Sequence, residues 1–205
     1  GEIDGRLPTM EDSRAWFELL SRYDLTDSSG ELIRLSRRQD SALVLSQELA
    51  SSTTVKFGEP VNLPQGLAGP VWCRMQIEPS LAGRAASILY RLPELQLRLH
   101  CDRGTDREFR LLPAAVGSGF LISPVVESRD DLIRLWQWRG RADSENASSA
   151  GRVVSIACSA TNNDLSEMLF ETDETVEFFD CIRRVDPMPE SARPTDVATR
   201  GRFSF

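Results

Sequence analysis

Lysine is almost missing from this chain of 205 residues. Lys56 is the only one among 24 basic side chains, and the rest are arginine. That bias is what a GC-rich genome produces, but it also removes chemistry. A Schiff base, a Ser–Lys dyad or a P-loop would have to use Lys56, and Thr54-Val55-Lys56-Phe57 fits none of them. Histidine is equally scarce, so any Ser-His-Asp or Cys-His arrangement must use His100. None of the four cysteines, Cys73, Cys101, Cys158 and Cys181, forms a CxxC pair, which excludes a zinc knuckle. Three of them sit in apolar strand-like runs and read as buried thiols; up to two disulfides are open in an oxidising compartment. No stretch of about 18 apolar residues is present, so no transmembrane helix is expected. No signal peptide is recognisable either. The chain begins at Gly1 rather than Met, and it is expected to be a piece of a longer protein whose neighbouring segments carry the membrane anchor.

Positive charge is also in deficit. The net charge is −7 and the pI about 4.9. Nucleic-acid binders concentrate cations to displace counterions from phosphates; here the arginines are scattered and outnumbered, and nucleic acid is set aside.

What the chain does have is alternation. Val71, Cys73, Met75 and Ile77 alternate with Trp72, Arg74, Gln76 and Glu78; Leu95, Leu97, Leu99 and Cys101 alternate with Gln96, Arg98 and His100. Period two marks half-buried strands. Asp102-Arg103-Gly104-Thr105 reads as a hairpin loop leading into Asp106–Leu112. Glu31–Ser51 is ambiguous between a helix and two short strands, and strands around 31–36 and 41–46 are favoured; further strands are expected around 51–57, 120–126, 152–159 and 175–185, with Pro124 marking an edge or bend. Ser80–Leu92 is ambiguous between strand and short helix, and the surrounding meander favours a strand. Helices are expected at about 10–23, capped by Thr9 or Asp12, and at 128–138, capped by Ser128 with Asp130 and Asp131 in its first turn. Arg141–Gly151 reads as a mobile polar loop and Asn162-Asn163-Asp164 as a turn.

Many short strands broken by Gly and Pro predict a mainly β protein: a two-sheet β-sandwich, jelly-roll-like, with a few peripheral helices. The expected organisation is an N-terminal lead-in and helix over 1–30, the sandwich over 31–186, and a loose tail over 187–205.

Catalytic signals are weak. His100 lies on the polar face of its strand and reads as a solvent-facing residue. Asp102, Gly104, Asp106 and Glu108 could bring two or three oxygens near a cation, but a solvated turn is the better reading. The acidic cluster Glu171, Asp173, Glu174 and Glu177 reads the same way. Gly117-Ser118-Gly119 precedes a strand, not a helix, and reads as a turn rather than a phosphate loop. No catalytic residue, cofactor or metal site is assigned. The candidate ligand-binding residues are Trp72, Arg74, Gln76, Gln96, Arg98, His100, Trp136 and Trp138. Flat rings on a sheet stack on sugars, and Arg, Gln and His bond hydroxyls. The competing reading packs the outer Trp under the 128–138 helix or a loop.

Five segments carry a resemblance: Phe57-Gly58-Glu59-Pro60-Val61, Gly83-Arg84, Tyr90-Arg91-Leu92-Pro93, Phe109-Arg110-Leu111-Leu112-Pro113 and Gly119-Phe120-Leu121-Ile122-Ser123-Pro124. Together the region resembles the soluble C-terminal part of uncharacterised bacterial polytopic membrane proteins, some of them glycosyltransferase-like. The resemblance covers about a third of the chain. It implies an extracytoplasmic domain, periplasmic or on the cell-surface side, tethered to the membrane by the parent protein. It carries no catalytic residues. The expected function is a non-catalytic accessory module, with a glycan or another envelope protein as the candidate partner. A protein-interaction or architectural role is the alternative, and a carboxylate-based glycoside hydrolase ranks last.

Overall fold

A computed structural model describes residues 4–28, 32–38, 43–67, 69–90, 92–103, 105–138, 152–161 and 168–185, with 43–46, 137–138 and 182–185 as backbone only. The expected loop at 141–151, the turn at 162–164 and the tail at 187–205 lie outside these residues.

The protein is a β-sandwich with short helices around it. Its strands are β1 (Tyr23–Asp27), β2 (Arg34–Arg37), β3 (Leu43–Lys56), β4 (Val61–Asn62), β5 (Val71–Gln76), β6 (Leu95–Cys101), β7 (Arg107–Leu111), β8 (Phe120–Ser123), β9 (Val153–Ala160) and β10 (Asp173–Val185). Its helices are α1 (Ser13–Arg22), α2 (Leu81–Leu89), α3 (Pro113–Val116) and α4 (Arg129–Trp138), with a single 3₁₀ turn at Pro8–Met10. One sheet has the order β3-β10-β5-β8 and the other β4-β9-β6-β7, while β1 and β2 form a separate ribbon.

The pairings within these sheets are nested and antiparallel. β6 pairs with β7, β5 with β8, β4 with β9 and β3 with β10. The chain is thus one long hairpin, its tip at the Asp102–Thr105 loop, rolled so that alternate pairs fall in opposite sheets. That is the jelly-roll arrangement expected from the sequence. Within the two sheets of the sandwich only β6 and β7 are consecutive neighbours; each other connection between β3 and β10 crosses from one sheet to the other, and α2, α3 and α4 lie on these crossings.

The alternation positions the core. Cys73 and Met75 of β5, Leu95, Leu97 and Leu99 of β6, Phe109 of β7, Phe120 and Ile122 of β8, Ile156 and Cys158 of β9 and Val176 and Phe178 of β10 all enter one buried cluster between the sheets. Full burial of each Leu or Phe contributes about 2 kcal/mol. Leu7 and Met10 join this cluster, so the N-terminal lead-in is packed into the sandwich. A second cluster lies on the outer face of the β3-β10-β5-β8 sheet. There Leu20 of α1 and Leu135 and Trp136 of α4 meet Trp72, Leu121 and Cys181.

Several local expectations need correcting. Ser80–Leu92 is not a strand: Ser80 accepts the Gly83 N–H at 3.0 Å as an N-cap, and α2 follows. The separate strands at 41–46 and 51–57 are one strand, β3, held along its whole length by β10. The helix expected to run to Tyr23 ends at Arg22, and β1 begins directly after it. Neither proposed N-terminal cap makes a capping side-chain bond. Asp12 occupies the N-cap position without one, and Thr9 donates instead to the Leu121 carbonyl at 2.6 Å. At α4 the expectation holds. The Ser128 hydroxyl accepts the Asp131 N–H, and the Asp131 carboxylate accepts the Ser128 N–H at 3.1 Å, a reciprocal capping box.

Candidate binding face

The polar side of β6 faces away from the core because its apolar positions face in. Gln96 is half-buried, and Arg98 and His100 are exposed. Register then fixes their neighbours. Across β7, Gln96 faces Arg110 and Arg98 faces Glu108. Across β9, Gln96, Arg98 and His100 face Ser159, Ala157 and Ser155. Beyond β9, Asn62 of β4 faces Ser155. The outer face is therefore a lane of small side chains on β9, flanked on one side by long polar groups on β6 and β7 and on the other by exposed Asn62.

These long side chains are held in place. The Arg98 guanidinium donates to the Glu108 carboxylate through Nε at 2.8 Å and also through Nη2. Arg110 is fixed between Asp4 at 2.9 Å and Glu94 at 3.0 Å. His100 Nδ1 lies 2.5 Å from Asp106 Oδ1. Exposed pairs of this kind add at most about 1 kcal/mol of stability each; what they do here is orient donors and acceptors. A guanidinium, a carboxylate, an imidazole, a carboxamide and two hydroxyls supply both halves of the hydrogen bonding that a polyol needs.

The two groups of candidate residues would share one surface only if their strands were near neighbours, and the structure separates them. β5 and β6 belong to different sheets. Trp72, Arg74 and Gln76 point from the outer side of one sheet, and Gln96, Arg98 and His100 from the outer side of the other. Trp72 and Trp136 are buried, so neither ring offers a flat face to a sugar in this conformation. Phe17 of α1 meets the Trp72 ring edge-on at 6.0 Å, and Trp136 Nε1 donates to the Tyr23 carbonyl at 3.1 Å. Gly119, with φ of +82°, lies so close that a Cβ there would come within 2.8 Å of the Trp72 ring. The competing reading describes Trp72, which packs in the cluster that α1 and α4 line, while Trp136 belongs to α4 and packs in that same cluster. Trp138 ends α4, and its side chain lies outside the described residues. Arg74 stays at the surface, 4.9 Å above the Phe179 ring and 3.3 Å from Glu177, while Gln76 is exposed.

Asn62, Ser155, Ser159 and Arg110 were not singled out from the sequence. The signal was present in β9, where Ser155, Ala157 and Ser159 run out of phase with Ile156, Cys158 and Ala160, but small residues attract no attention by themselves.

The remaining chemistry-bearing groups fall elsewhere. Ser155, His100 and Asp106 form a cross-strand row, but no hydrogen bond between Ser155 and His100 is found among the described residues, so a nucleophile–base pair is not assembled. The hairpin acids are engaged singly: Asp102 accepts the Arg152 N–H at 2.7 Å, Asp106 meets His100 and Glu108 meets Arg98. Gly104 lies outside the described residues. Among those described, no group of three or more His, Cys, Asp and Glu could hold a metal ion. All four thiols are buried and free. Burial raises each of them above the usual thiol range, with Cys181 pushed up to about 12. No helix among the described residues is long and apolar enough to cross a membrane.

One acid does stand apart. Glu174 is only 2% exposed, and both of its carboxylate oxygens lack a hydrogen-bond partner among the described residues. Burial raises its pKa from 4.5 to about 7. It shares the inward parity of Val176 and Phe178 on β10 and lies near enough to the Cys73 and Cys158 thiols to raise theirs. It is enclosed in the packing, not displayed to a substrate.

Comparison with family models, with curated proteins and with solved structures finds no match to this chain.

Proposed function

We propose that this chain is a non-catalytic binding module, an extracytoplasmic accessory domain of a bacterial membrane protein, and that its ligand is a glycan. The observation that carries the reading is the outer face of the β4-β9-β6-β7 sheet. There Gln96, Arg98, His100 and Glu108 border the low lane of Ser155, Ala157 and Ser159. A saccharide laid along that lane would meet oriented donors and acceptors on one flank. Because Trp72 and Trp136 are occupied in packing, recognition would rest on hydrogen bonds rather than ring stacking, which favours modest affinity and repeated or multivalent contacts. The resemblance of residues 57–126 to the soluble region of polytopic bacterial membrane proteins supports the extracytoplasmic placement.

The test is a glycan array probed with the full chain, followed by Gln96→Ala, Arg98→Ala and His100→Ala on any glycan retained. Expected is retention of a defined glycan class and a loss of roughly 5- to 20-fold for Arg98→Ala, the worth of about 1–2 kcal/mol of charge-assisted hydrogen bonding. Failure of every glycan to bind above a bare surface, or undiminished binding by all three variants, would sink the reading. A protein-interaction or architectural role is the second reading, and it draws on a different surface, the exposed apolar side of α2.

A further inference from the structure

The two arginines that β6 and β7 present on the outer face of their sheet are both matched by carboxylates of that same face. Arg98 turns its Nε and Nη2 to Glu108, and Arg110 is held between Asp4 at 2.9 Å and Glu94 at 3.0 Å. His100 meets Asp106 at 2.5 Å. Two guanidiniums therefore stand among four carboxylates. The hairpin tip does not reverse the balance, since Arg103 has Asp102 beside it in the chain. The carboxylates are also the outer members. The Arg110 side chain is 22% exposed, while Asp4 and Glu94 are at 59% and 49%, so an approaching ligand meets them first. At Glu108, Arg98 bonds only Oε1, and Oε2 accepts no hydrogen bond among the described residues.

This arrangement treats the charge classes of saccharide differently. A uronate, sulfate or phosphate group is held by a guanidinium whose charge is not yet offset. Here it would have to displace a carboxylate tethered in the same chain and then lie beside it. Like charges brought together in this way select against a ligand. The lane supplies no counter-charge, because Ser155, Ala157, Ser159 and Asn62 are all neutral. A hydroxyl meets no such conflict, since it donates to a carboxylate and accepts from a guanidinium. The ammonium of an amino sugar is better matched still, with Oε2 of Glu108 open to it.

We infer that this face selects glycans by charge: it takes uncharged and amino-bearing saccharides and refuses acidic ones, with Glu108 and Asp106 as the selecting residues. The inference rests on the glycan reading and names the class of saccharide for that same site. Arg98 and His100 keep their place in it as oriented hydrogen-bonding groups whose partners remove them as anion sites.

The test is an array in which each saccharide backbone is present in uncharged, amino-bearing and carboxylated or sulfated forms, probed with the full chain at one ionic strength. The acidic form of any retained backbone is expected to bind at least about ten-fold more weakly than its uncharged form. Glu108→Gln/Asp106→Asn should raise binding of the acidic form at least about five-fold and lower that of the amino form, because Arg98 is then no longer offset. Both side chains are exposed and their ion pairs add little to stability, so the thermal unfolding transition should hardly move. An acidic form bound as tightly as its uncharged counterpart, or more tightly, overturns the selectivity and leaves the glycan reading standing. So does a double variant that refuses acidic forms as wild type does. An array on which no glycan is retained overturns the glycan reading and this inference with it.

Discussion

Replacing Glu174 should change how stability depends on pH. Its carboxyl is 2% exposed, its oxygens have no hydrogen-bond partner among the described residues, and its pKa in the fold is raised from 4.5 to about 7. Between those two values the folded chain keeps a proton that the unfolded chain has released. Linkage then requires stability to fall as pH rises through this window. The contribution is fully present below about pH 4.5 and gone above about pH 7. At 1.36 kcal/mol per unit, the loss across the window is about 3 kcal/mol. Glu174→Gln cannot ionise and should lack this component; Glu174→Leu should lack it and also be the more stable protein at pH 8, since no polar group is then buried unpaired. The assay is urea unfolding at pH 5, 6, 7 and 8, read by tryptophan emission, to which the buried Trp72 and Trp136 contribute. The other carboxylates contribute to every variant alike, so the quantity of interest is the difference in slope between wild type and variant. Parallel stability curves for wild type and Glu174→Gln would show that Glu174 is not enclosed as described.

Three further outcomes follow from local geometry. Gly83→Ala should destabilise by about 3 kcal/mol in urea unfolding, because its Cβ would overlap the Leu169 carbonyl and α2 would have to lift away. Ser128→Ala should cost about 1 kcal/mol by the same measurement, since it removes the acceptor for the Asp131 N–H, while Asp130→Asn in the same first turn should cost only a few tenths. The four cysteines should resist an aromatic disulfide reagent at pH 8 in the native chain and all react in denaturant; rapid native labelling of Cys73 or Cys158 would contradict their burial and raised pKa values.

How much of this was legible depended on where each residue's partners lie in the chain. β5, β6 and β7 could be read because one face is apolar and the other polar, so period two is written in the residues themselves. The rolled arrangement followed from the count and spacing of such strands. β3 was harder: as an edge strand it is rich in Ser and Thr, and the polar Gln47 and Glu48 fall between the two stretches expected as separate strands. α2 was misread because the strands around it were given more weight than its own signals: the Ser80 cap and the helical spacing of Leu81, Ala85, Ile88 and Leu89 were both there. The candidate face was legible only in part. Gln96, Arg98 and His100 could be assigned to one face of one strand, but the sheet that strand joins is decided by long-range pairing. The same lack misplaced Trp72, whose cover comes from α1 and α4. Glu174 was one acid in a cluster of four; its parity with Val176 and Phe178 was the available sign that it points inward.

The nesting of the strand pairs also orders events in time. Leu99 meets Arg107 across a single hairpin loop, Trp72 meets Leu121 at a greater remove, and Lys56 meets Asp173 across more than half of the chain. Closing a loop costs about 0.6 kcal/mol more for each doubling of its length, so the tip can form first and the pairing spread outward from it. β10 arrives last, yet it belongs in the middle of its sheet, between β3 and β5. Until residues 173–185 emerge from the ribosome, both of those strands present unsatisfied backbone to any other chain nearby. A nascent chain stopped before Asp173 should therefore be a substrate for chaperones, and adding the final strand should release it.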